Sequence, residues 1–143
     1  MPQGRVLQIH LKVGRRRPMQ RVPLANAVAG KGLVGDVAFG RARRQLLLTD
    51  LADLDHFHLQ PGEVRENITL AGVPLADLPR GSRLQLGDVT VEITGDCTPC
   101  EQLEDLRPGL QEDIRGRRGM LARVVKGGML REGDPAYLDS SDS

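Results

Sequence analysis

Short stretches in which apolar and polar residues alternate, each ended by glycine or proline, recur along this chain, and no long helical pattern interrupts them. Residues 5–13 set Leu7, Ile9, Leu11 and Val13 against Gln8, His10 and Lys12, the period of two expected of a strand with one face on a core. Val22 and Leu24 allow another short strand, residues 45–48 a buried one, and residues 64–70 a further one. Residues 84–86 and 89–94 predict a hairpin about Gly87-Asp88. Residues 120–125 and 129–131 predict a second hairpin, across Gly127-Gly128. Thr49 or Asp50 can cap a helix with Leu51, Leu54 and Phe57 or His58 on one face, ended by Pro61-Gly62. Residues 101–106 read as a helical turn, and Pro108 opens a short helix carrying Leu110 and Ile114. Seven or more short strands with two or three short helices, and no regular strand-helix alternation, predict a mainly β fold: a closed or nearly closed β-barrel. Gly133-Asp134-Pro135 is expected to close the ordered region, and residues 139–143 to form a disordered polar tail after a single domain over 5–138.

A net charge of +1 on 143 residues gives no reason to expect a nucleic-acid partner. No apolar run approaches the roughly 20 residues of a membrane span, and the first residues lack the apolar core of a signal peptide, so a cytoplasmic protein with no membrane partner is expected. The cations are 17 Arg and 3 Lys, which fits either planar recognition of oxyanions or codon usage. The Arg15-Arg16-Arg17-Pro18 run reads first as a solvated turn and second as a basic lip over an anionic ligand. The glycines of Gly30-Lys31-Gly32-Leu33-Val34-Gly35-Asp36, followed by Gly40, imply positive φ or close backbone approach. No Gly-Lys-Ser/Thr follows, so this is not a P-loop.

Both cysteines fall in Gly95-Asp96-Cys97-Thr98-Pro99-Cys100, at the end of the most strand-like run. In a reducing compartment such a pair points to redox, metal or catalytic chemistry more than to a structural disulfide. Four readings stand at this point. A zinc site would need two further ligands from His10, His56, His58 or carboxylates. A redox pair has the right length but no surrounding βαβ unit. Two packed hydrophobes are the plain alternative. The fourth is a thiolate at a strand end acting as a soft metal ligand or sulfur nucleophile. In a strand over 64–70, Arg65 and Asn67 would share one face, as a cation-amide pair for a ligand or as the solvated end of a strand at a barrel rim.

Taken in order, Gly32-Leu33-Val34-Gly35-Asp36 with Gly40, Arg65-Glu66-Asn67, the segment from Gly81 to Gly87-Asp88, the Cys97/Cys100 segment, Gly116-Arg117-Arg118-Gly119-Met120 and Gly133-Asp134-Pro135 resemble the MOSC domain, named after the C-terminal domain of molybdenum cofactor sulfurase. The resemblance covers about residues 5 to 138. It implies a β-barrel core, binding of the molybdopterin form of molybdenum cofactor, and a cysteine that ligates molybdenum or carries sulfur as a persulfide. Relatives include reductases of N-hydroxylated compounds, such as the mitochondrial amidoxime-reducing component. Carried onto this chain, the resemblance makes Cys100 the molybdenum ligand and catalytic residue. It makes Arg65, Asn67 and Thr98 cofactor contacts, with Arg117 or Arg118 adding positive charge and Asp36 as a further candidate. Many stand-alone members have a histidine after Gly-Asp where this chain has Val37-Ala38-Phe39. The N-terminal barrel region and C-terminal electron-transfer domain of larger relatives are not expected here, so a reductase is expected to need a separate electron-transfer protein, and a sulfur carrier a cysteine desulfurase. Pyridoxal phosphate is mentioned for the family in general terms, but no lysine in a matched motif offers a Schiff base, so covalent binding is not expected. Oligomeric state is left open by the sequence.

Overall fold

The computed structural model describes residues 4–76, 78–98 and 101–139. Seven strands form the barrel wall: β1 (Gly4–Leu11), β5 (Leu46–Asp50), β6 (Ile68–Ala71), β7 (Arg83–Leu86), β8 (Val89–Asp96), β9 (Met120–Lys126) and β11 (Pro135–Leu138). They follow the order β11-β7-β8-β9-β5-β6-β1, and pairing of β1 with β11, at Gly4↔Ala136, closes the ring. The short β2 (Gln20–Val22) pairs with the far half of β1. A three-stranded sheet, β10 (Gly128–Arg131), β3 (Leu24–Val28) and β4 (Gly32–Leu33), stands beside the barrel. The expected mainly β barrel is thus the fold. Its two short α-helices are α1 (Leu51–His56) and α2 (Leu110–Asp113), preceding which residues Glu101–Asp105 form a turn of 3-10 helix. No helix among the described residues is long and apolar enough to cross a membrane.

The alternation seen in the sequence becomes inside and outside in β8, whereas in β1 a bulge between Val6 and Gln8 breaks it, leaving Leu7 and Leu11 half-buried, Val13 beyond the strand exposed and His10 buried. In β1, Val6 and Ile9 are fully buried, and in β8 so are Val91 and Ile93, with Leu48, Ile68 and Leu84 completing the centre of the barrel. Each such side chain contributes roughly 1.5–3 kcal/mol on burial. One pairing differs from the rest: β5 and β6 run parallel, with Leu48 opposite Ile68. A parallel pair cannot be joined by a tight turn. The intervening residues therefore leave the barrel wall as α1 and a loop, and return at the start of β6. Asp50 caps α1, its Oδ1 accepting from the Ala52 N–H at 3.0 Å. Leu54, Leu59 and Val64 of this crossover pack with Leu103, Leu110 and Ile114 into a second small core. That core fixes the crossover against the segment following the cysteines.

Three expectations need correction. The strand expected over 64–70 begins only at Ile68, because Arg65 takes a left-handed backbone (φ 65°) and breaks the extended run before it starts. Residues 120–125 and 129–131 do not form a hairpin. The chain bends at Gly127-Gly128, and β10 pairs with β3 in the second sheet, Leu130 opposite Ala25. Glycine is required at the bend, since a Cβ on Gly127 would lie 2.5 Å from the Ala27 carbonyl oxygen. Finally, Gly133-Asp134-Pro135 does not end the ordered chain but leads into β11, the strand that closes the barrel. The Asp139 N–H still bonds the Arg83 carbonyl at 2.8 Å, and residues 140–143 lie outside the described residues.

Candidate functional site

Two cavities meet at one end of the barrel. The larger, about 840 Å³, is lined by Arg15, Arg16, Arg17, His10 and Glu63 among others. The smaller, about 220 Å³, includes Asp36, Asn67, Cys97 and Thr98. Arg65, Gln102 and Arg118 line both and form a waist between them.

Arg118 is 7% exposed. It precedes β9, and its Nη2 donates to the Val64 carbonyl of the crossover at 2.7 Å, while Nε and Nη1 are buried without partners among the described residues. A buried guanidinium with two unmet donors is costly unless something accepts from it. Arg65 is half-buried. Its Nη1 donates to the Arg17 carbonyl at 2.9 Å and its Nη2 to those of Gly14 and Arg15 at 2.9 and 3.3 Å. Its Nε too is buried and has no partner among the described residues. The crossover thus supplies a left-handed arginine that pins the backbone of the Arg15-Arg16-Arg17 run, and the three side chains are exposed around the larger cavity.

Asn67 and Asp36 form a knot at the smaller cavity. Asn67 Nδ2 donates to Asp36 Oδ1 at 3.0 Å and to the His10 carbonyl at 3.1 Å, while its Oδ1 accepts from the Leu47 N–H at 2.9 Å. Asp36 also accepts from the N–H groups of Lys12 and Ala38, at 2.7 and 3.0 Å. Both side chains are 6% exposed, and their hydrogen bonds tie the glycine-rich loop to β1 and β5. Between Arg65 and Asn67, Glu66 is fully buried, and its Oε2 accepts from the Thr49 and Thr69 hydroxyls at 3.0 and 3.1 Å. The Arg-Glu-Asn triplet therefore directs its three side chains to three separate tasks, where a strand would have pointed Arg65 and Asn67 the same way.

Cys97 is buried, with its N–H bonded to the Gly119 carbonyl at 2.9 Å and its Sγ 3.9 Å from the Thr98 carbonyl. Thr98 is exposed at the smaller cavity. Cys100 lies outside the described residues. The neighbouring arginines separate: Arg118 turns into the waist, whereas Arg117 is half-exposed and approaches Asp53 of α1 at 3.9 Å, lining neither cavity. No group of three or more His, Cys, Asp or Glu side chains suited to a metal ion occurs among the described residues. Sequence reasoning did not single out Gln102 at the waist, nor Lys12, Arg41 and Arg44 beside the smaller cavity. None carries a motif: Lys12 follows β1, Arg41 and Arg44 follow the glycine-rich loop, and Gln102 lies on the 3-10 turn, so only the fold brings them together.

His10 lines the larger cavity at 6% exposure, with Nδ1 buried and unpartnered. Burial pushes its pKa below the usual value; Glu66 opposes that shift, Arg21 adds to it, and Glu132 opposes it. Among the described residues the histidine is therefore held toward its neutral form.

Comparison with solved structures gives the same architecture. YuaD from Bacillus subtilis superposes with a TM-score of 0.80 at 17% identity, covering 94% of each chain. YiiM from Geobacillus stearothermophilus matches with a TM-score of 0.75 at 16% identity, over 96% of this chain and 75% of that one. For YiiM from Escherichia coli the values are 0.71 and 18%, over 98% and 71%. At such identities the likeness concerns the fold. No curated protein sequence matches. The family model of the MOSC domain matches residues 38–137, from the glycine-rich loop to the closing strand. With that match over most of its length, and with the barrel it implies, the chain belongs to the MOSC domain family.

Proposed function

We propose that this MOSC domain binds molybdenum cofactor between the waist and the smaller cavity, with the phosphate of the molybdopterin at the waist and the metal beside the cysteine segment. The observation that carries this reading is the set of unmet donors on Arg118 and Arg65 between a basic cavity and one lined by Cys97 and Thr98. Guanidinium groups match the oxygens of a phosphate, and the charge-assisted bonds would offset the desolvation that Arg118 now bears. The residues present thus fit a phosphate-bearing cofactor. Arg118 and Arg65 hold the anion, Gln102 offers amide contacts at the same waist, and Thr98 adds a hydroxyl near the metal. Asn67 and Asp36 act one step back, fixing the loop and strands from which the smaller cavity is made.

When bound, the molybdenum would supply two-electron redox chemistry at a thiolate-anchored centre, suited to reduction of N-hydroxylated compounds with electrons from a separate protein. A soft thiolate is the anchor such a metal demands. The burial of Cys97 supports assigning that role to Cys100. A persulfide-carrying cysteine supplied by a desulfurase would likewise need an accessible thiol, which counts against the buried Cys97.

The test is the molybdenum content of protein made in a molybdopterin-producing host. Cys100→Ala is expected to lose most of the metal and Cys97→Ala to keep it. Equal retention in Cys100→Ala and wild type would remove the ligand assignment.

A further inference from the structure

We infer that Arg15, Arg16 and Arg17 form a second oxyanion site, apart from the waist, and that the larger cavity takes a small-molecule substrate bearing a phosphate. Three observations converge. First, the side chains of these three arginines have no ion-pair partner among the described residues, yet all three line a cavity of about 840 Å³, a size suited to a small organic ligand. Second, the turn that carries them is built. Arg65 gives up an ordinary backbone conformation (φ 65°) and spends both terminal nitrogens on the carbonyls of Gly14, Arg15 and Arg17. Third, the lip arginines line the larger cavity alone, whereas Arg65 and Arg118 line both. An anion held by the lip therefore lies across the waist from Cys97 and Thr98, where a substrate rather than the cofactor phosphate would carry its charge.

Five arginines face Glu63 and Asp105 in this cavity, so an anionic ligand is favoured over a cationic one by the local field as well as by direct bonds. Consecutive guanidinium groups suit the several oxygens of a phosphate better than one carboxylate. The substrate use rests on the cofactor reading above; anion binding at the lip does not.

The experiment is titration of the purified chain with inorganic pyrophosphate by calorimetry. It compares wild type with Arg15→Ala/Arg16→Ala/Arg17→Ala and with a charge-matched control, Arg5→Ala/Arg80→Ala/Arg131→Ala. Saturable binding in wild type, at least tenfold weaker in the lip variant and within threefold in the control, is the expected result. No binding in wild type, unchanged binding in the lip variant, or equal loss in the control would each overturn the proposal. Molybdenum content of the same proteins is read separately. The lip variant is expected to keep the wild-type level, and absence of metal from wild type would sink the cofactor reading while leaving the pyrophosphate result to judge the lip.

Discussion

Arg118 donates from Nη2 to the carbonyl oxygen of Val64 at 2.7 Å, and this one bond holds a buried guanidinium at the waist with its other donors unmet. A group retained at such cost contributes little to stability. Arg118→Met, similar in length and apolar, removes the buried charge but leaves the Val64 carbonyl unpaired, so unfolding free energy is expected to change by less than about 2 kcal/mol. The same variant should lose molybdenum. Urea unfolding measures the first effect and metal analysis the second; a loss of more than about 2 kcal/mol would show a structural role instead.

Asn67 behaves in the opposite way. Removing its amide leaves the Leu47 N–H and the His10 carbonyl unpaired beside Asp36. Asn67→Ala should therefore cost about 2–4 kcal/mol, the penalty of unsatisfied buried groups. A shift of the urea midpoint with unchanged slope would report it.

Gly119 adjoins Arg118 and accepts from the Cys97 N–H through its carbonyl. Its φ is 129°, and a Cβ there would lie 2.5 Å from the Leu48 carbonyl oxygen. Gly119→Ala is expected to destabilise by more than about 2 kcal/mol, since both the backbone conformation and the contact exclude a side chain. Gly116→Ala, whose Cβ would meet nothing within 4 Å but whose φ is 85°, should cost only the conformational part, about 1 kcal/mol. Comparing the two melting curves separates clash from backbone strain.

His10 makes stability depend on pH. Its folded pKa lies below the unfolded value near 6.5, so the folded state binds fewer protons than the unfolded one between those two values. Stability is thus full above 6.5 and declines as pH falls below it. His10→Gln should flatten the fall in melting temperature as pH drops below about 6.5, where the unfolded histidine gains its proton before the folded one. Parallel curves for variant and wild type would assign the acid sensitivity elsewhere.

Much of the barrel was legible because its cause is local. The alternation in β8, the Gly87-Asp88 turn between Leu86 and Val89, and the Asp50 cap each act over a few residues. What stayed hidden depends on residues far apart in the chain. Nothing in the Gly127-Gly128 step tells whether β10 returns to β9 or crosses to β3; the Ala27 carbonyl packed against Gly127 decides it. Nor does alternation report where β6 begins, since Arg65 leaves the extended region to meet carbonyls some fifty residues earlier.

For the site, the residue types were readable and their partners were not. Sequence by itself determined that this chain would close short strands into a barrel, and that Arg65, Asn67, Arg118, Asp36 and the cysteine segment belonged together as family motifs. Only tertiary structure decided their tasks. It buried Arg118 and turned Arg117 outward, engaged Asn67 and Asp36 with each other, and raised Arg15, Arg16 and Arg17 from a turn into the rim of a cavity. The physical reason is that a hydrogen-bond partner is chosen by position in space, and the parallel pairing of β5 with β6 forces the crossover that sets those positions.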